Sequence, residues 1–217
     1  MPQYFDQLLV FGDQVLCDHA AEYGLPLPVT YCGWAVEHQL PTAVEPDLFV
    51  VSAGGGGDGE AVFRLGVEVT RRRPELRTVI AAGPYAAPLP VDYPRELAGR
   101  IELRHDGGAT GPWFARAGAV LQMAGYNSTV EALAAGVRPI LVPRRAPRRE
   151  QAIRAARLAA LGLADIVDEA ASSDEVAWLL DQPRRLAPDA CAKAGIQLDG
   201  AAVAAAGLAS RVLVSAA

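Results

Sequence analysis

The sequence predicts an α/β protein with a Rossmann-like, doubly wound parallel sheet, and three observations carry that expectation. Short apolar runs rich in β-branched residues recur along the chain. Several are apolar nearly throughout, as "LFVVSAG" (48–54) and "AVLQMAG" (119–125) are, which suits parallel strands covered on both faces. Between them lie segments with helical spacing that end at Gly or Pro.

Taken in order, the strand expectations are 7–12, 29–35, 48–54, 77–83, 101–105, 119–125, 138–144 and 164–169. The helical segments are "DGEAVFRLGVEVTRRRP", "NSTVEALAAG" and "PRREQAIRAARLAALG", with a further helix in the alanine-rich tail from Asp199 onward. A boundary is expected over 35–47, where the chain turns polar and carries Pro41 and Pro46. The segment before it holds two strands and one helix, too little for a domain. In open α/β sheets ligands bind beyond the carboxyl ends of the strands, so the loops after residues 53, 83, 105, 124 and 143 are the ones to inspect.

Composition narrows the function classes. The chain has 217 residues, 51% of them hydrophobic, enough to bury a real core. Its net charge of −5 offers no overall field for a nucleic acid. Lys193 is its lone lysine, so no G-K-[ST] phosphate loop exists. Cys17, Cys32 and Cys191 are scattered without C-x-x-C, and read as reduced packing residues of a cytoplasmic protein. His19, His38 and His105 show no metal-ligand spacing. No apolar run reaches the ~18 residues of a membrane span, and "MPQYFDQ" lacks the basic end and apolar core of a signal peptide.

Three strand-end loops carry the chemistry. The first is "SAGGGGDG" (52–59), where Gly54, Gly56 and Gly59 satisfy G-x-G-x-x-G. A glycine turn opening a helix lets an anion approach unpaired N–H groups at the positive end of the dipole. A nicotinamide dinucleotide also needs an acid at the end of the second strand, about 20 residues on. That strand ends in Gly83-Pro84-Tyr85, so this reading is weak. Another phosphate site or a plain tight turn stays open.

The second loop is "MAGYNSTVEALAAG" (123–136). Gly125 ends the strand, Asn127 or Ser128 can cap the helix, and Ser128 with Glu131 forms a formal capping box. Capping accounts for those two residues and leaves "AGYN" unexplained. The third is "VPRRAPRREQAIRAARLAALG" (142–162), where Arg144, Arg145, Arg148 and Arg149 crowd a helix start that Pro147 opens. Cations there oppose the dipole unless they bind an anion or reach solvent. Glu150 and Gln151 add a carboxylate and an amide. Together the three loops suit a sugar nucleotide, an anionic diphosphate with hydroxyl-rich rings.

At these residues the sequence resembles the nucleotide-sugar-binding, C-terminal half of GT-B glycosyltransferases. It looks like glycosyltransferase family 28, which contains the peptidoglycan GlcNAc transferase. The nearest likeness is to a bacterial predicted-glycosyltransferase branch with "AGYN" and "VPR…PR-EQ-IRA" signatures, which "VSAGGGGDG" and "AGPY" also fit. The resemblance covers about residues 6 to 185.

It implies a donor site placed residue by residue. Glu131 matches the carboxylate that holds the donor's ribose hydroxyls. Gly125, Asn127, Ser128 and Thr129 match the turn beside the donor diphosphate, and Glu150 with Gln151 match the motif that contacts the sugar. Gly54, Gly55, Gly56 and Gly57 match the cleft-facing glycine loop, and Arg144 and Arg148 complete the donor set. Gln122 and Tyr126-Asn127 depart from the peptidoglycan enzymes, which leaves the donor sugar open.

The resemblance further implies three parts: 1–44 as the remnant of an N-terminal acceptor domain plus linker, 45–185 as the nucleotide-sugar-binding domain, and 186–217 as a helical tail. The chain is then a fragment, a truncated reading frame, or one half of a split enzyme whose acceptor domain acts in cis or in trans. The catalytic base remains unassigned. The implied reaction is hexosyl transfer from a nucleotide diphosphate sugar, a UDP-sugar first, with no cofactor, no metal and no nucleic-acid partner. Any peripheral membrane association would come through the missing domain. A nucleotide-sugar epimerase or hydrolase of the same fold, and a non-catalytic binding subunit, are the alternatives.

Overall fold

The structure is a computed structural model that describes residues 4–40, 42–54, 59–83, 95–104, 110–144 and 149–215, with side chains as far as Ser210. Gly55, Gly56, Gly57, His105, Pro147 and Arg148 lie outside the described residues. The chain divides into two compact units, Met1–Val36 with Asp189–Ala217, and Glu37–Pro188.

The larger unit is built on six parallel strands: β3 (Glu45–Ser52), β4 (Arg77–Ala81), β5 (Ile101–Arg104), β6 (Ala117–Met123), β7 (Ile140–Val142) and β8 (Asp165–Ile166). Their spatial order is β5-β4-β3-β6-β7-β8. Relabelled from the first strand of this unit, that is the 3-2-1-4-5-6 order of the doubly wound nucleotide-binding sheet. The order reverses between β3 and β6, which pair directly from Phe49–Ala119 to Ser52–Gln122. The predicted α/β fold class is the one observed.

Helices cover both faces because the central strands are apolar on both. Phe49 and Val51 of β3 pack with Val62, Phe63 and Leu65 of α2 (Glu60–Arg72) and with Val176 and Leu179 of α6 (Ser173–Leu180). Leu48 and Val50 pack on the opposite face with Phe114 of α3 (Gly111–Arg116) and Ala132 of α4 (Tyr126–Ala134). Alternation along a strand sends successive side chains to opposite faces, so one run feeds two cores. A further helix of this unit, α5 (Glu150–Ala160), follows β7.

The smaller unit pairs two parallel strands, β1 (Leu8–Phe11) and β2 (Val29–Gly33), joined through α1 (His19–Tyr23). The tail supplies α7 (Ala190–Lys193) and α8 (Gly200–Ser215). It is tied to the first segment by backbone bonds: Trp34 N–H donates to Gln197 O at 2.7 Å and Gly200 N–H to Trp34 O at 3.0 Å. The Asp13 carboxylate is buried and accepts the Gln197 N–H. Burial pushes the Asp13 carboxyl up to about 6, against the lowering effect of its bonds to Gln197 and Trp34.

Candidate functional site

The switch point of the sheet brings two turns together, one after β3 and one after β6. The first begins at Ala53-Gly54. Gly54 has a φ of +66°, a left-handed conformation that costs an L side chain energy. Its N–H donates to Ser52 Oγ at 3.2 Å. Gly59 ends this turn as the N-cap of α2, and a Cβ there would lie 2.2 Å from the Cβ of Ala53. The last glycine of G-x-G-x-x-G therefore permits close helix–strand approach, one of the roles such glycines play at phosphate loops.

The second turn settles the capping question. Helix α4 begins at Tyr126 with Gly125 as N-cap, and no side chain caps it. Thr129 N–H donates to Gly125 O at 3.1 Å. Ser128 and Glu131 thus lie inside the helix, and neither Asn127 nor Ser128 is the cap the sequence offered. The reason is local geometry: Gly125 takes the extended conformation of a cap, with φ −62° and ψ 153°, so the helix starts before the polar residues. A helix start without a side-chain cap, placed beyond the sheet, is a position at which backbone N–H groups can meet an anion.

The two turns are neighbours. Ser128, buried within α4, has its Oγ 3.8 Å from where a Cβ of Gly54 would lie and 3.3 Å from that of Gly125. Thr129 is wholly buried and Asn127 exposed. Below them Gln122 is wholly buried, and its Nε2 donates to Ser128 O at 3.2 Å. Glu131 is half-buried one turn further, where its carboxylate accepts the hydroxyl of Thr110 at the start of α3.

The third loop follows β7, and its described ends are joined through Arg144, Glu150 and Gln151. Arg144 N–H donates to Gln151 Oε1 at 3.1 Å, and Arg144 Nη2 donates to Glu150 Oε1 at 3.2 Å. Helix α5 begins at Glu150 with Arg149 as N-cap, three residues later than an opening at Pro147 would place it. Arg144 is therefore partly occupied by Glu150. Gln151 is buried and its side-chain carbonyl accepts the Arg144 N–H.

One side chain that reaches the second turn was not singled out from the sequence. Arg154, half-buried on α5, donates from Nη1 to the carbonyl of Ala124 at 2.6 Å and lies 5.7 Å from the ring centroid of Tyr126. Burial lowers the basicity of its guanidinium, and Glu150 opposes that effect. Its only sequence signal was membership in the "EQ-IRA" string, which says nothing of its reach to β6.

No helix among the described residues is long and apolar enough to cross a membrane. In sequence, no family model and no curated protein matches the chain. Solved structures do. The glycotransferase of kitacinnamycin is 19% identical with a TM-score of 0.68, over 95% of this chain and 55% of that one. The spinosyn rhamnosyltransferase SpnG complexed with thymidine diphosphate is 16% identical with a TM-score of 0.56, over 90% and 62%. MurG of Acinetobacter baumannii is 16% identical with a TM-score of 0.52, over 82% and 64%. The chain spans between about half and two thirds of the length of these proteins. At such identities the likeness is one of fold: this chain has the α/β fold of part of each of those proteins.

Proposed function

We propose that this chain is the donor-binding part of a glycosyltransferase. It takes a nucleoside diphosphate sugar, a UDP-sugar being the first donor to try and a TDP-sugar the next. The observation that carries the reading is the meeting of Gly54 with the uncapped start of α4 at the β3–β6 switch point, with Ser128 Oγ 3.8 Å from the Cβ position of Gly54. A diphosphate set there faces backbone N–H groups from α4 and the positive end of its dipole.

The roles divide by chemistry. Glu131 accepts from the ribose hydroxyls, with Thr110 holding one of its oxygens in place. Gln151 offers its amide to the sugar, with its carbonyl anchored by Arg144. Gly55, Gly56, Gly57 and Arg148 belong to the same proposed set from outside the described residues. In the transfer, the bond from the sugar's anomeric carbon to the diphosphate oxygen breaks as the acceptor oxygen bonds that carbon. The α4 N–H groups stabilise the negative charge gathering on the leaving diphosphate, which is where fixed donors contribute most. The acceptor's proton goes to a base on the acceptor side, supplied by an α/β domain in cis or in trans. The 1–44, 45–185 and 186–217 division, the absence of a metal and a cytoplasmic location are parts of the same proposal.

Titration calorimetry with UDP-, TDP- and GDP-sugars tests it. Binding of at least one, lost tenfold or more in Glu131→Ala, supports the donor site. No binding by any of them overturns it. Product analysis with donor alone separates transfer from its rivals, since free sugar or an isomer would indicate a hydrolase or an epimerase.

A further inference from the structure

Arg154 reaches the β6–α4 turn from helix α5. Ala124, whose carbonyl it holds at 2.6 Å, is wholly buried and directly precedes the N-cap Gly125. Tyr126, whose ring it faces at 5.7 Å, is the first residue of α4. Gln122 braces the same turn from the strand side through Ser128 O at 3.2 Å. The turn is thus held from two directions, one neutral and one cationic.

The cation is poorly compensated. Arg154 bonds a neutral carbonyl and faces a neutral ring, while Glu150, the carboxylate acting on it, is bonded to Arg144. A guanidinium so placed adds to the positive end of the α4 dipole, an arrangement that repels when empty and favours a bound anion. A residue serving only to pin Ala124 O would not need a charge, since any N–H donor of suitable length satisfies a carbonyl.

We propose that Arg154 is a positioning residue for the diphosphate end of this site: it sets the β6–α4 turn through Ala124 O and supplies the charge that makes this helix start selective for a dianionic ligand. The inference rests on the donor-site reading above. It acts through the turn and its field, distinct from the groups assigned to the ribose and the sugar.

The test uses the full chain, with UDP, TDP, uridine and thymidine as probes in titration calorimetry, and Arg154→Gln and Arg154→Lys as variants. The expected result for Arg154→Gln is a tenfold or greater loss for the diphosphates, with nucleoside binding unchanged within twofold. Arg154→Lys, which keeps the charge and an N–H donor group, restores diphosphate affinity to within about threefold of wild type. In the wild type, the Arg154 Nε–H resonance, assigned by its absence from Arg154→Lys, shifts on saturation with the bound diphosphate and not with nucleoside. That measurement stands whether or not Arg154→Gln folds. Equal loss of diphosphate and nucleoside, no loss at all, or a resonance indifferent to diphosphate overturns the inference while leaving the donor site intact. A wild type that binds none of the diphosphates overturns the site reading, and the inference with it.

Discussion

Gln122 and Ser128 are joined by a hydrogen bond from Nε2 to the backbone carbonyl at 3.2 Å, which ties the end of β6 to the first turn of α4. Gln122 is wholly buried, so the bond forms where water cannot replace it. The start of α4 is therefore positioned by the strand beneath it as well as by its own turns.

Gln122→Ala removes this bond and opens a cavity in the sheet. The expected loss is about 2 kcal/mol of stability, measured by urea unfolding, with a weaker nucleoside diphosphate affinity in the protein that still folds. A variant as stable as wild type would show that the bond contributes little.

Glu131→Gln tests the ribose role apart from stability. Glu131 is not part of a cap, so its unfolding free energy is expected to change by less than about 1 kcal/mol. Affinity for UDP is expected to fall about tenfold, the size of one hydrogen bond to a charged group. Affinity for TDP, which lacks one ribose hydroxyl, is expected to fall less. Calorimetry with the two nucleotides reads the difference.

Gly59→Ala forces a Cβ to 2.2 Å from Ala53 Cβ, so α2 must move away from the end of β3. The expected cost is about 2 to 3 kcal/mol. Gly54→Ala, strained by a φ of +66°, is expected to cost about 1 kcal/mol. Thermal melts rank the two, and equal losses would argue that the close approach is not the dominant constraint.

Asp13 makes stability depend on pH in the smaller unit. Its carboxyl is pushed up from 3.8 to about 6 by burial, so the folded state holds the proton more tightly than the unfolded chain. This contribution is fully present below the unfolded value and is lost as pH rises through about 6. Asp13→Asn is expected to flatten that part of the curve, on the order of 1 to 3 kcal/mol between pH 4 and 7. Denaturant melts across this range in both proteins check it, and an unchanged slope in the variant would refute it.

Nucleotide binding is expected to be the same in EDTA as with added magnesium, because the proposed diphosphate contacts are helix N–H groups. A tenfold dependence on magnesium in calorimetry would place a cation in the site.

The sequence by itself determined the strands and the order in which they come. Apolar runs such as "LFVVSAG" and "RPILVPR" are local signals, and β3 and β7 lie on them. The strand-end loops were legible for the same reason, since a parallel sheet puts them on one edge. What stayed hidden depended on partners distant in the chain. Helix α3, "GPWFAR", is too short to show a period, and it forms where Phe114 can bury against β3 and β6. The start of α4 read from sequence at Asn127 or Ser128, either a competent cap, and the backbone leaving β6 places it at Gly125 instead. Arg154 read as one arginine of many until α5 was laid beside the end of β6. Hydrophobic period and turn chemistry act over a few residues, so a sequence displays them. The pairing of β3 with both β4 and β6, which makes the switch point, is a choice among non-local contacts that only the folded chain resolves.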